Sequence, residues 1–357
     1  MPYEQTFRYS TKYAGFDQLD RRYAWFKRLL HAADDNMSTI FPTHWNLSYY
    51  SFSELCRRTT RHIVDVLDHT QTDDHDTTAH VTIILKASNS VMKFEADMST
   101  TLSIQYSIIE SELLIDKEVN FATPLSITKA FDNYLGPYVQ LERLGLEDLI
   151  RCLMKEVERL RGEEASNPDN FILHSKDPHS SSEKMFEFIK SSLNRCTAFS
   201  TGNTYLSLSK EIHICLHHYA ESLKLLLPNS APVNGGLLIF RREEQEISRI
   251  VTTDEYCIDA VSQLKITIKK NISPSLSDEV DFSMAADAFM DFFSSSYSLL
   301  IACIRERLES AMMTLRKKTN ISSIEFVGDH SKYFKESTAV MNETIPRLRS
   351  SLSGFNF

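Results

Sequence analysis

The chain has 357 residues, and its 42% hydrophobic and 24% charged content is that of a folded protein with room for about two domains. A net charge of −9 excludes the positive field that nonspecific nucleic-acid binding requires. The 9 glycines fall well below the ~7% average, which disfavours turn-rich sandwiches and glycine-lined nucleotide sites and favours long helices joined by a few loops.

The opening segment MPYEQTFRYS has no apolar core of a leader, and no stretch approaches ~18 consecutive apolar residues, so the chain reads as cytosolic with no transmembrane segment. Pro42 begins a new segment with Thr43 as its cap. Tyr49, Phe52, Cys56, Thr59, Ile63 and Val66 then step by three and four, the spacing of one helix face. DHTQTDDHDTT (68–78) is polar and turn-like. In HVTIILK (80–86) the β-branched residues, followed by alternating Leu102, Ile104, Tyr106 and Ile108, predict a small hairpin over 80–108 on local propensity. GEEASNPDNFILHSKDPHSSS (162–182), long, polar and carrying two prolines, marks a linker between a helical bundle at 1–161 and a second at 183–357. Leu208, Ile212, Cys215, Tyr219, Leu223 and Leu226 form another stripe, with breaks at 228–236 and 273–279 after it. The longest stripe is Phe289, Phe293, Tyr297, Leu300, Ile304, Leu308, Ala311 and Leu315, which predicts a helix of about 40 Å.

Candidate chemistry is sparse. Asp329, His330 and Ser331 are the residue types of a hydrolase triad, but consecutive side chains point apart and cannot serve one another. The stretch instead reads as a turn opened by Gly328, with Asp329 or Ser331 capping the helix that follows. His213 and His217 stand at i and i+4, as in zinc-binding helices, yet Ile214 occupies the place of the general-base Glu. His69, Asp73, Asp74, His75, Asp76 and His80 lack the ordered spacing of a calcium loop and read as an acidic linker. Arg57, Arg58 and Arg61, and Arg316 to Lys318, read as solvated faces. Cys56, Cys152, Cys196, Cys215, Cys257 and Cys303 are widely spaced and read as buried free thiols. No phosphate-binding glycine loop or nucleophile elbow is present, and no cofactor, metal or catalytic residue is assigned.

Several segments go further together. LDRRYAWFKRLL with FPTHW after it, LSITKAFDNYLGPYVQLERLGLEDLI (125–150), STGNTYLSL, TTDEYCIDAVSQL, and IEFVGDHSKYF followed by IPRLRSSL occur in order. This series resembles the middle and C-terminal portions of the vacuolar protein sorting-associated protein 53 family, over most of residues 17–352 and least at 69–124 and 162–182. The resemblance implies an all-α fold, an elongated rod of stacked helical bundles like that of multisubunit tethering complexes, and helix rather than hairpin at 80–108. It implies a non-enzymatic subunit of the Golgi-associated retrograde protein complex or its endosomal relative. Such a subunit tethers endosome-derived carriers at the trans-Golgi network, and is peripheral on trans-Golgi and endosome membranes. The partners implied are the sister subunits, with SNAREs and small GTPases as further ones. Gly328, Asp329 and Tyr333 match the family's inter-helix turn and Glu255, Tyr256 and Cys257 a helix segment, both read as structural or interface positions. The family's long N-terminal coiled-coil region and its last helices have no counterpart here, which makes a fragment, an unusual gene product or a reduced member the expectation. Two other readings stand beside this one: a generic cytosolic helical scaffold unrelated to traffic, and a metal-dependent hydrolase built on His213 and His217.

If the stripes stack as a rod, circular dichroism will be predominantly helical and small-angle scattering will give a radius of gyration above the roughly 20 Å of a compact chain this long. A strand-rich spectrum, or the compact radius, would overturn the rod.

Overall fold

A computed structural model describes residues 15–37, 40–41, 47–70, 77–101, 126–166, 178–227, 237–317 and 332–351. The fold is all-α, with no strand among the described residues. In chain order the helices are α1 (Leu19–Met37), α2 (Leu47–Thr70), α3 (Thr77–Thr101), α4 (Gly136–Ser166), α5 (Pro178–Thr197), α6 (Asn203–Lys224), α7 (Leu237–Asn271), α8 (Ser283–Lys317) and α9 (Lys332–Ser351). Short 3-10 segments occupy Phe16–Gln18, Thr128–Tyr134 and Pro274–Glu279.

Compactness divides the chain into two units, neither continuous in sequence. One takes Met1–Glu142, Ser192–Leu208 and Asn271–Ser277; the other takes Arg143–Ser191, Ser209–Lys270 and Asp278–Phe357. This grouping does not follow the polar stretch at 162–182. Residues 162–166 finish α4 and 178–182 begin α5, while 167–177 lie outside the described residues.

The first unit is built on three amphipathic helices. Leu19, Tyr23, Phe26 and Leu30 line the buried face of α1, and Phe52, Cys56, Thr59, Ile63 and Val66 that of α2, as their spacing requires. The rings converge on Phe94 of α3. Tyr23 stacks on it with centroids 4.0 Å apart, Phe26 meets it edge-on at 6.2 Å, and Phe52 lies 6.0 Å away. Each such pair adds about 0.5–1.5 kcal/mol beyond the area it buries.

The local hairpin expectation fails at 80–101, which is helical; residues 102–108 lie outside the described residues. Over the longer window Val81, Ile84, Val91, Phe94 and Met98 recur at helical spacing and are all buried, leaving Ile83 half-exposed. Burial on one face outweighs the β-preference of four adjacent side chains.

Polar side chains then fix the joints of this unit. Glu95 on α3 accepts hydrogen bonds from the backbone N–H of Ile127, the backbone N–H of Thr128 at 3.3 Å and the Thr128 hydroxyl at 2.7 Å, capping the 3-10 segment that starts there. Asp132 in turn accepts from Ser200 Oγ at 2.7 Å and from Thr204 Oγ1 at 3.3 Å, which anchors the first turn of α6. Gly202 leaves room beside it: a Cβ there would stand 2.8 Å from Asp132 Oδ2 and would press on the carboxylate that Ser200 and Thr204 bind. At the start of α4, Glu142 is only 8% exposed. Arg195 binds it bidentately at 3.0 and 2.7 Å, and Ser192 donates to it at 2.8 Å. Burial opposes ionisation of Glu142, but the bonds from Arg195 and Ser192 outweigh it and hold the carboxyl below its usual range. Its contribution to stability is therefore present above the ordinary carboxylate pKa and lost as pH falls through the lowered value. Arg22 is fully buried, with Nη1 3.1 Å from His62 Nδ1; burial and the guanidinium charge press His62 down to about 4, keeping it a neutral acceptor.

In the second unit α7 and α8 are joined by the short 272–282 connection and run antiparallel. Ile247 and Val251 of α7 meet Leu300 and Cys303 of α8, and Leu348 of α9 closes over them. The stripe expected on α8 is displaced by one position over much of its length. Its buried face is Ala285, Phe289, Phe292, Ser296, Leu300, Cys303 and Arg307, whereas Tyr297 is 42% exposed and Phe293 and Ile304 are half-buried. The true face carries a serine and an arginine, so a reading that follows hydrophobicity slides onto its neighbours. The side chains of Ala311 and Leu315 lie outside the described residues.

Phe94→Ala should cost about 3–5 kcal/mol in urea unfolding, because three other rings lose their common partner. Ile83→Ala on the same helix should stay within about 0.5 kcal/mol of the parent. Equal effects would show that Phe94 is not the centre of this core.

Candidate functional site

The two segments singled out in the sequence are unequally described. Gly328 and Asp329 lie outside the described residues, as do His330 and Ser331, so the expected capped turn does too; α9 begins directly after them, and Tyr333 is in its first turn. Glu255, Tyr256 and Cys257 sit in the middle of α7, one residue after a fully buried Asp254. Helical geometry separates the three: Cys257 points into the core, fully buried, while Glu255 and Tyr256 are half-buried. Tyr256 rests edge-on against Phe186 of α5, with centroids 5.8 Å apart.

Around Cys257 four helices bring polar side chains together. The Tyr219 hydroxyl of α6, fully buried, lies 2.7 Å from Ser181 Oγ and 3.0 Å from Ser182 Oγ, both on α5. Ser182 also hydrogen-bonds the Cys257 thiol, which burial pushes up to about 12. Asp254 turns towards α8, where its Oδ2 is 2.9 Å from Ser296 Oγ. Burial raises the Tyr219 phenol as well, with the Cys257 and Asp254 charges adding to the rise, so neither phenol nor thiol ionises near neutral pH. No nucleophile is activated here. The arrangement is a buried junction that sets how α5, α6, α7 and α8 meet, and it carries Glu255 and Tyr256 on its rim.

Sequence reasoning reached Glu255, Tyr256 and Cys257 and missed Asp254, Ser181, Ser182, Tyr219 and Ser296 as a group. One signal was available: Asp254 and Cys257 are three apart, so the acid falls on the same face as a residue already read as buried. A second polar contact, also missed, joins α8 to α9. Arg307, 5% exposed, donates to Thr344 Oγ1 at 3.0 Å and lies 3.5 Å from Glu343.

The metal reading of His213 and His217 meets a specific obstacle. His213 Nε2 accepts the backbone N–H of Ala285 at 3.1 Å, so its lone pair closes the N-terminus of α8 together with Asp281, which accepts from Ser283 N–H at 3.0 Å. Burial, chiefly, lowers the His213 pKa, in keeping with a neutral acceptor. Among the described residues no three His, Cys, Asp or Glu side chains are grouped to hold a metal. Of the His69–His80 cluster, His69 ends α2 with Nδ1 2.6 Å from the Asp65 carbonyl oxygen and His80 stands in α3; 71–76 lie outside the described residues. The basic run at 57–58 is not simply solvated, since Arg57 and Arg58 both bind Glu54. Five of the six cysteines are buried free thiols as expected, but Cys152 is exposed.

Three comparisons with known proteins bear on the chain. Residues 1–158 match the family model described as "Vps53, N-terminal", where the sequence reading had placed the chain in the middle and C-terminal portions. The chain is 26% identical to "Vacuolar protein sorting-associated protein 53 A" of Arabidopsis thaliana over 99% of its own length and 47% of that relative. It is 23% identical to "Vacuolar protein sorting-associated protein 53 homolog" of Caenorhabditis elegans, over 95% of its own length and 41% of that relative. The chain thus spans less than half the length of these curated relatives. No solved structure matches it.

The burial pattern of the thiols is directly testable. Brief alkylation of the native protein should modify Cys152 alone, and all six cysteines only after denaturation. Native modification of Cys257 at a comparable rate would show that the four-helix junction is open.

Proposed function

We propose, from the premise that this chain belongs to the Vps53 family, that it is a non-catalytic subunit of a vesicle-tethering complex. The observation that carries the proposal is the match to two curated relatives of that name over 99% and 95% of this chain. The route proposed is retrograde transport from endosomes to the trans-Golgi network, with endosomal recycling as the parallel role. Its chemistry is adhesion: several weak protein contacts along a helical scaffold, which linkage turns into avidity. Sister subunits are the first partners, SNAREs and small GTPases further ones. Residence on trans-Golgi and endosome membranes is proposed as peripheral and through the complex. It fits the finding that no helix among the described residues is long and apolar enough to cross a bilayer.

Within this reading Glu255 and Tyr256 are proposed contact positions, and Cys257 a structural one beneath them. The turn with Gly328, Asp329 and Tyr333 is proposed as the other family-specific position. A charge and a ring at half-burial, carried by a helix whose opposite side is locked by hydrogen bonds, present a fixed feature to a partner at low entropic cost.

The test is affinity capture from cytosol with the tagged chain, alongside return of a retrograde cargo in cells depleted of the resident subunit. Sister subunits should copurify, and Glu255→Arg combined with Tyr256→Ala should lower their recovery at least tenfold, about 1.4 kcal/mol of binding energy. Capture of no tethering subunit under conditions where a relative captures them would overturn the tethering role.

A further inference from the structure

Ser296 does more than pack α8 against α7. The Ser296 hydroxyl lies 2.9 Å from Asp254 Oδ2 and 3.0 Å from the carbonyl oxygen of Phe293, its neighbour one turn back. A serine has one proton to donate, and a carbonyl has none. If Asp254 were ionised, Ser296 would have to turn its one proton to Oδ2 from the Phe293 carbonyl, which the N–H of Tyr297 in the α8 ladder already serves, and Oδ1 would gain no donor. If Asp254 is protonated, its carboxyl O–H donates to Ser296 Oγ, Ser296 donates to the Phe293 carbonyl, and each bond has its own proton. The second carboxyl oxygen, Oδ1, is buried with no hydrogen-bond partner among the described residues, so an ionised group would place part of its charge on an atom nothing stabilises. We infer that Asp254 keeps its proton in the folded protein at neutral pH, and that this proton is a latch between α7 and α8 which alkali releases.

The surroundings agree. The titratable groups that face Asp254 are the Tyr219 phenol on α6 and the Cys257 thiol on its own helix, both kept neutral by burial, while α5 and α8 contribute the hydroxyls of Ser181, Ser182 and Ser296. Burial pushes the Asp254 carboxyl up to about 8, and even a hydrogen bond donated by Ser296 to the ionised group would offset this only in part. Since the folded pKa lies above the unfolded one, the contribution of the latch is fully present below the ordinary Asp value. It declines as pH rises and is gone once the folded group ionises near pH 8. Over that span one proton changes the unfolding equilibrium about tenfold per pH unit. The ionised group would then face the Ser296 lone pairs instead of donating to them, at the point where α5 and α6 also converge.

Asp254→Asn tests this on the full chain. The amide keeps the shape, donates to Ser296 from Nδ2 and never ionises. Urea unfolding from about pH 5 to about pH 9 should show the wild type losing stability towards alkali. Asp254→Asn should be flatter by about tenfold per pH unit in the unfolding constant, and the more stable of the two at the alkaline end. Carboxyl carbon-13 spectra of the wild type give an independent readout: one aspartate should titrate near pH 8, and its signal should be missing from the variant. Equal pH slopes in the two proteins, or spectra in which every aspartate titrates in the ordinary acid range, would overturn the latch.

Discussion

The meeting of α7 and α8 turns on how one hydroxyl, that of Ser296, serves two oxygens. Other polar contacts gather beside it. Tyr219 is held between two serines of α5, and the Cys257 thiol is bound by one of them. A buried polar group left without its partner costs about 1–3 kcal/mol. A shift of any one helix by a single residue would strand several of these groups at once, whereas apolar neighbours such as Val251 and Leu300 would find new contacts. The polar junction therefore sets register, and the apolar seam beside it supplies most of the adhesion.

Two acids illustrate how local partners decide a protonation state. Glu142 and Asp254 are both buried, and burial alone would keep both neutral. Glu142 meets a guanidinium in bidentate geometry and a hydroxyl donor, and is held ionised. Asp254 meets a single hydroxyl already engaged by a carbonyl, and is held neutral. Their dependences on pH oppose one another, since one favours the fold above the acid range and the other below the alkaline one.

What was legible in the sequence was whatever a hydrophobic period encodes. The stripes emerged at Phe52, Cys56, Thr59, Ile63 and Val66 on α2 and at Leu208, Ile212, Cys215, Tyr219 and Leu223 on α6, because nearly every buried position described there is apolar or a small hydroxyl, while the side chain of Tyr49 lies outside the described residues. Two elements defeated the reading for opposite reasons. In α3 a run of β-branched residues suggested strand, and only the spacing carried on to Met98 reveals the helix. In α8 the face that is buried includes Ser296 and Arg307, and polarity diverted the reading onto Tyr297. The same blindness hid the junction at Asp254. The segment around Glu255 was visible through family resemblance, but hydrogen bonds between residues 37 to 42 positions apart leave no periodic trace.

The pairing of Glu142 with Arg195 also bears on how the chain is made. A ribosome delivers Glu142 long before its partner, which lies 53 residues further on. Until then the carboxylate is better left in water, so the second turn of α4 cannot settle into its buried place. The bond from Ser273 N–H to the Thr201 carbonyl, at 2.9 Å, is later still. The first unit, though it begins at the N-terminus, thus remains unfinished while most of the second is being synthesised. Nascent-chain folding here cannot proceed bead by bead. A proteolytic nick between 167 and 177 would not release an intact half: it would separate Glu142 from the only segment that carries Arg195.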